Sequence, residues 1–137
     1  ALCYHYTHEE AILPLFERVT KYFIDHLPED YVPYWDLIFS DGSCEPRDTS
    51  AAAIAACGIL EMEKYYHNQE FLDIAKKMMS SLSEKYTTVD YLQSNGIIKD
   101  GMYSRKHGHK SECTSWGDYF YLEALMRMKK SDWKIYW

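Results

Sequence analysis

The sequence predicts an all-α chain of helical hairpins, in which amphipathic outer helices alternate with inner helices that have no polar face. Three observations carry this. Two segments place apolar residues at helical spacing on one side only, and two others are apolar almost all round. The pattern also repeats: a shift of 60 residues lays Leu2 on Met62, Glu10 on Glu70, Val19 on Met79 and Tyr22 on Leu82.

The first outer helix is expected from about Glu10 to His26. Ile12, Leu15, Phe16, Val19, Tyr22 and Phe23 share a face, with Glu17, Arg18, Lys21 and Asp25 opposite. Pro14 places the start of the regular helix just before it, where a missing N–H does no harm. The first inner helix follows Thr49-Ser50, a hydroxyl pair suited to an N-cap, and its Ala/Gly-rich run lets neighbouring backbones approach closely. A second outer helix follows Asn68, with Phe71, Ala75, Met78, Met79, Leu82 and Tyr86 in one stripe. A second inner helix opens at Thr114-Ser115, which a shift of 65 lays on Thr49-Ser50. On this register the opening ALCYHYT reads as the tail of another inner helix.

Composition bounds the rest. A chain of 137 residues, 47% hydrophobic and 16% aromatic, has the size and apolar content of one globular domain with a substantial core. The net charge of −6, with acids and bases interspersed, argues against nucleic acid and anionic membrane surfaces as partners. No apolar run approaches the roughly 20 residues that span a bilayer, and ALCYHYTHEE lacks the pattern of a secretory leader. Cys3, Cys44, Cys57 and Cys113 are far apart without a C-x-x-C pair, so the reading is reduced thiols in a cytoplasmic protein, with no zinc site and no disulfide framework. His5, His8, His26 and His67 read as ordinary surface or capping residues. The H-x-H pair His107 and His109 lacks a third metal ligand. The closing DWKIYW is expected to pack across the outside of the helical array.

Connections from inner to outer helices are short, whereas those from outer to inner run from about Leu27 to Asp48 and from about Thr87 to Thr114. In an antiparallel array both long loops emerge at one end. Loops of that length without secondary structure are uncommon unless functional, and the ligand face is placed there.

The strings LPEDYVPYWD, EPRDTSAAAIAACGILEM and SWGDYFYLEALMRM resemble the last third of glycoside hydrolase family 88, the unsaturated glucuronyl hydrolases. The resemblance covers essentially the whole chain; the related unsaturated rhamnogalacturonyl hydrolases are a weaker match. It implies a six-hairpin α/α toroid, of which residues 1–137 form the C-terminal portion of a single domain with the N-terminal part absent. It further implies hydration of the C4=C5 double bond of a nonreducing-end unsaturated uronate in lyase-generated oligosaccharides. An aspartic acid protonates C4, water adds at C5, and the hemiketal opens to release the sugar. No metal or cofactor is implied. The family's catalytic aspartates lie upstream of this chain, which is therefore expected to be inactive alone and to expose inner-helix surface open to self-association. A non-catalytic module binding an anionic sugar or a partner chain is the alternative.

For substrate binding the residues singled out are Arg47, Tyr103, Ser104, His107, Lys110 and Trp116. The resemblance places a pocket tyrosine at Tyr103. The run Ser104 to Lys110 gathers cations and hydrogen-bond donors suited to an anionic sugar, against a solvated loop as the bland reading. The family's Ser-x-x-Ser-x-Lys pattern for sulfated substrates is not intact, since His107 and His109 follow Ser104. Arg47 either pairs locally or faces the pocket. Asp48 suits the helix dipole and caps, Asp118 has a capping-type role in the first turn of its helix, and Trp116 either walls the pocket or joins the core.

Overall fold

In the computed structural model, residues 1–105, 112–130 and 132–135 are described. They form five helices: α1 (Leu2–Thr7), α2 (Ile12–Asp25), α3 (Thr49–Met62), α4 (Gln69–Lys85) and α5 (Ser115–Lys129). Only isolated bridges, such as Tyr34 with Arg47 and Gly101 with Glu112, join extended segments among these residues. No helix among them is long and apolar enough to cross a membrane.

Three helices run side by side in the same direction. Contacts between α3 and α5 advance in step, from Trp116 Nε1 donating to Ser50 Oγ, through Cys57 Sγ donating to the Phe120 carbonyl, to Arg127 donating to Glu61. On the other side of α3, His5 of α1 meets the same Glu61. The helices α2 and α4 return between them: Phe16 of α2 packs edge-on against Phe71 of α4 and against Tyr66 in the turn after α3. The inner layer is thus α1, α3 and α5, and the outer layer α2 and α4, an arc of an α/α toroid as the sequence predicts.

The inner helices lie close because their contact residues are small. Ala52, Ala53 and Ala56 are wholly buried on α3. At the start of α5, a Cβ on Gly117 would stand 2.7 Å from Thr114 Oγ1 and 3.3 Å from Ser50 Cβ, so glycine is required for the approach to α3. Gly58, in contrast, faces open space.

The stripe expected for α4 is buried throughout, with Met78, Met79 and Leu82 at its centre. The stripe expected for α2 is only partly so. Phe16 is buried and Ile12 and Phe23 pack on the core, but Leu15, Val19 and Tyr22 are about half exposed, at 47%, 52% and 56%. The apolar stripe of α2 is wider than its contact with α4 and α1. The 60-residue register holds where α2 and α4 end, at Asp25 and Lys85. It fails for α1, which ends at Thr7 rather than at a position matching Met62, because the turn after α3 is longer than the turn after α1 and α4 is longer than α2.

Candidate functional site

The site lies where the N-termini of α3 and α5 meet the two long loops, residues 26–48 and 86–114. Its framework is made by caps. The cap of α3 is Asp48 rather than Thr49: Asp48 Oδ1 accepts from the backbone N of Ser50 and Ala51 and from Ser50 Oγ, at 3.1, 3.4 and 2.6 Å. A carboxylate at the positive end of the helix is favoured both as acceptor and as charge. The Thr49 hydroxyl is turned to the other loop, donating to the Lys99 carbonyl at 2.8 Å. Thr114 caps α5 as expected, accepting from Gly117 N at 3.1 Å. The caps therefore stand 66 positions apart, one more than the sequence alignment of the hydroxyl pairs suggests.

These same side chains fasten the second loop to the first. Asp48 Oδ1 also accepts from Met102 N, and the Thr49 backbone N donates to the Asp100 carbonyl at 3.0 Å. Asp118 accepts from the backbone N of both Ile97 and Ile98 at 3.0 Å. Its role is structural, as expected, but it pins a loop in place of capping its own helix.

Arg47 sits in a local network, the first of the two alternatives the sequence leaves open. Its guanidinium lies 3.9 Å over the Tyr34 ring, donates to the Val32 carbonyl at 2.9 Å, and pairs with Asp30 and Asp41 at 3.4 and 3.5 Å. Asp30 also accepts from the Tyr86 hydroxyl at 2.7 Å. Burial, reinforced by this bond to a carboxylate, holds the Tyr86 phenol well above its ordinary range.

Tyr103 and Trp116 are brought together, with ring centroids 5.9 Å apart, and both are substantially exposed, at 67% and 38%. Trp116 is therefore not core, and its indole is held by the bond to Ser50. Beside this pair an open cleft of about 400 Å³ is lined by Trp35 from the first loop and by Met102, Tyr103, Ser104 and Arg105 from the second. The structure thus gathers Tyr103, Ser104 and Trp116 on one face. His107 and Lys110 lie outside the described residues, as do His109, Tyr136 and Trp137. Trp35 was visible in the sequence only as one of several loop aromatics.

At the opposite end of the inner helices the structure shows a charged cluster. Glu61 and Glu123 are buried, at 1% and 5% exposure, with Arg127 at 9%. Arg127 donates to Glu61 and, at 2.6 and 2.9 Å, to Glu123. Lys64 and His5 complete the shell of Glu61, each at 2.8 Å, and Tyr65 bonds to His5. His5 is thus no ordinary surface histidine but part of this cluster. Burial pushes the Glu61 carboxyl up, but hydrogen bonds from Lys64 and Arg127 outweigh it and hold the group below its ordinary value. Nearby, burial pushes the Cys57 thiol up to about 12, so it is an inert core residue. Among the described residues no group of three or more His, Cys, Asp or Glu side chains is arranged to hold a metal ion.

An inner layer of parallel helices, an outer layer of returning ones, and long loops gathered at one end over an aromatic cleft define a segment of an α/α toroid with its candidate site at the loop end. No family model matches the chain. It is 46% identical over 129 residues to an unsaturated chondroitin disaccharide hydrolase of Streptococcus agalactiae, covering 90% of this chain and 32% of that protein. It is 36% identical to an unsaturated glucuronyl hydrolase of Bacillus sp. strain GL1, covering 95% of this chain and 36% of that protein. A crystal structure of a variant unsaturated glucuronyl hydrolase from Streptococcus agalactiae, complexed with dGlcA-GalNAc6S, superposes with a TM-score of 0.92 at 43% identity, over 99% of this chain and 37% of that one. The chain's curated homologues and structural matches are thus unsaturated glucuronyl hydrolases, glycoside hydrolase family 88. It spans about a third of the length of the relatives it matches.

Proposed function

We propose that this chain is the loop-bearing C-terminal portion of an unsaturated glucuronyl hydrolase. The whole enzyme hydrates the C4=C5 double bond of a nonreducing-end unsaturated uronate, and this portion supplies part of the substrate wall and none of the acid. The observation that carries the reading is the pairing of Tyr103 with Trp116 at the mouth of an open cleft, in a chain 43% identical to a protein crystallised with an unsaturated disaccharide.

The chemistry divides accordingly. Proton delivery to C4 needs a carboxylic acid within hydrogen-bond reach of the reacting carbon. Four of the carboxylates at the loop end have other work: Asp48 and Asp118 accept from backbone N–H groups, and Asp30 and Asp41 pair with Arg47. What the face offers is aromatic surface and polar loop groups, which orient a saccharide without reacting with it. The segment from Ser104 to Lys110, in an otherwise acidic chain, suits the uronate carboxylate. Four cysteines without a disulfide between them favour a cytoplasmic setting.

The exposed apolar faces of α5 (Trp116, Tyr119, Leu122, Leu125 and Met128) and α2 (Leu15, Val19 and Tyr22) favour association with further toroid helices or with a second copy. The test is the loss of ultraviolet absorbance of the unsaturated uronate in a lyase-generated chondroitin disaccharide. It compares this chain alone with a chimera in which the chain replaces the matching third of the Streptococcus agalactiae hydrolase. Turnover by the chimera and none by the chain supports the reading. Turnover by the chain alone overturns the division of labour, and an inactive but folded chimera overturns the enzyme assignment.

A further inference from the structure

On the reading that the unsaturated uronate lies against Tyr103 and Trp116, we propose that Ser50 is a positioning residue for that face, its hydroxyl carrying the hold of Asp48 to the Trp116 indole.

The hydrogen bonds of this group run in one direction only. An indole N–H donates and cannot accept, whereas an ionised carboxylate accepts and cannot donate. Between them stands the Ser50 hydroxyl, with a single proton. It donates that proton to Asp48 Oδ1 at 2.6 Å and accepts from Trp116 Nε1 at 3.1 Å. The short bond to a charged acceptor is the stronger of the two. It polarises the hydroxyl, which becomes a better acceptor for the indole. Ser50 is 3% exposed, so water has little access to its lone pairs.

The same carboxylate oxygen also reaches the chain beside Tyr103. Asp48 Oδ1 accepts from Met102 N at 3.3 Å, one residue before Tyr103. Two further backbone contacts hold this stretch: Thr49 N donates to the Asp100 carbonyl at 3.0 Å, and Gly101 exchanges bonds of 2.7 and 2.8 Å with Glu112. The Tyr103 backbone and the Trp116 indole are thus referred to one oxygen atom, and the two rings stand 5.9 Å apart. The close approach of α5 to α3 makes this possible. A Cβ on Gly117, the residue after Trp116, would lie 3.3 Å from Ser50 Cβ.

A partly exposed indole without such a bond has several side-chain rotamers open to it, and a ligand must select one. A ring oriented beforehand spares that loss of entropy on binding. Ser50 therefore raises affinity without touching the sugar.

The test uses the 137-residue chain and the methyl glycoside of the unsaturated uronate. Ser50→Ala removes the hydroxyl and keeps the cap, because Asp48 still accepts from the backbone N of residues 50, 51 and 102. Circular dichroism checks the fold, and Trp116 is followed through its indole N–H resonance. In Ser50→Ala that proton is expected to exchange with water about tenfold faster, and the glycoside to bind about tenfold more weakly. In a Trp116→Ala background the same substitution is expected to change affinity by less than about twofold, because its effect passes through the indole. A serine that served only the fold would lower affinity by one factor in both backgrounds. Asp48→Asn, which keeps an acceptor for the hydroxyl and removes its charge, is expected to fall between wild type and Ser50→Ala in both readouts. An exchange rate or an affinity unchanged in Ser50→Ala, or an equal loss in both backgrounds, overturns the positioning role. The uronate reading then stands, since the wild-type chain still binds. A glycoside that leaves the Trp116 resonance of the wild-type chain unmoved overturns the uronate reading and the positioning role with it.

Discussion

The two ends of the α3–α5 pair treat their polar groups in opposite ways. At the N-terminal end Asp48, Thr114 and Asp118 bond to backbone N–H groups, and the aromatic faces of Tyr103 and Trp116 are left to solvent. At the C-terminal end Glu61, Glu123 and Arg127 bond to one another and are closed off from water. Same helices, same direction, yet one end holds a loop surface in place and the other locks the inner layer together. The difference assigns the charge at the C-terminal end to stability and, on the function proposed above, the aromatic surface at the N-terminal end to binding. Substitutions should separate the two.

The largest effect is expected from breaking the buried cluster by one member. Arg127→Ala leaves Glu61 and Glu123 buried without their main partner, and a loss of about 3–5 kcal/mol is expected in urea unfolding. Replacing all three residues together, Glu61 and Glu123 by Leu and Arg127 by Met, should recover most of that loss, because no uncompensated charge remains. A triple variant as unstable as the single one would break the comparison at this end.

The same cluster sets an acid limit. The folded-state Glu61 carboxyl lies below its ordinary value of 4.5, so its stabilising contribution is fully present above that value and is lost as pH falls through the lower folded-state value. Stability should therefore decline below pH 4.5 in the wild type, and the decline should be shallower in Glu61→Gln. Equal slopes in a pair of pH-dependent unfolding curves would remove Glu61 from the account.

At the loop end the framework effects are smaller. Asp48→Ala removes the cap of α3 together with the bond to Met102 N, and a loss of about 2 kcal/mol is expected, with Asp48→Asn recovering much of it. Gly117→Ala pushes a methyl against Thr114 Oγ1 and Ser50 Cβ, with an expected loss of about 1–3 kcal/mol from overpacking. Both are measured by the same urea titration. Because both variants disturb the loop end, they should also weaken the disaccharide, which Arg127 variants that remain folded should not.

Much of the fold was readable because its determinants are local. The α4 stripe from Phe71 to Tyr86, the helix start after Asn68 and the small residues of α3 act within one helix or its immediate neighbour. What escaped depends on pairs distant in sequence. The capping role of Asp48 was legible, but the contact that draws the Thr49 hydroxyl of the expected hydroxyl pair to Lys99, fifty positions on, was not. The Glu61–Arg127 pair spans 66 positions. A signal for it was nonetheless present: acids and an arginine inside helices otherwise apolar all round must be paired if those helices are buried. The aromatic Tyr103–Trp116 face followed from the resemblance and the loop lengths. The cleft with Trp35 did not, since it depends on how Glu45 joins two loops that are remote in sequence.

The smallest expected change in stability gives the sharpest view of the contrast. Tyr103 is 67% exposed, and truncating a residue that open shifts stability by no more than about 0.5 kcal/mol. If the loop end serves binding, Tyr103→Ala should leave the urea midpoint where it is and still lower the affinity for the unsaturated uronate glycoside by about tenfold, the loss expected for an aromatic anchor. Tyr103→Phe then divides that loss between ring and hydroxyl: a ring that stacks is kept by Phe, whereas a hydroxyl that bonds the uronate is not. A Tyr103→Ala chain that binds as the wild type does, with its stability unchanged, would show that the exposed aromatic pair serves something other than the sugar.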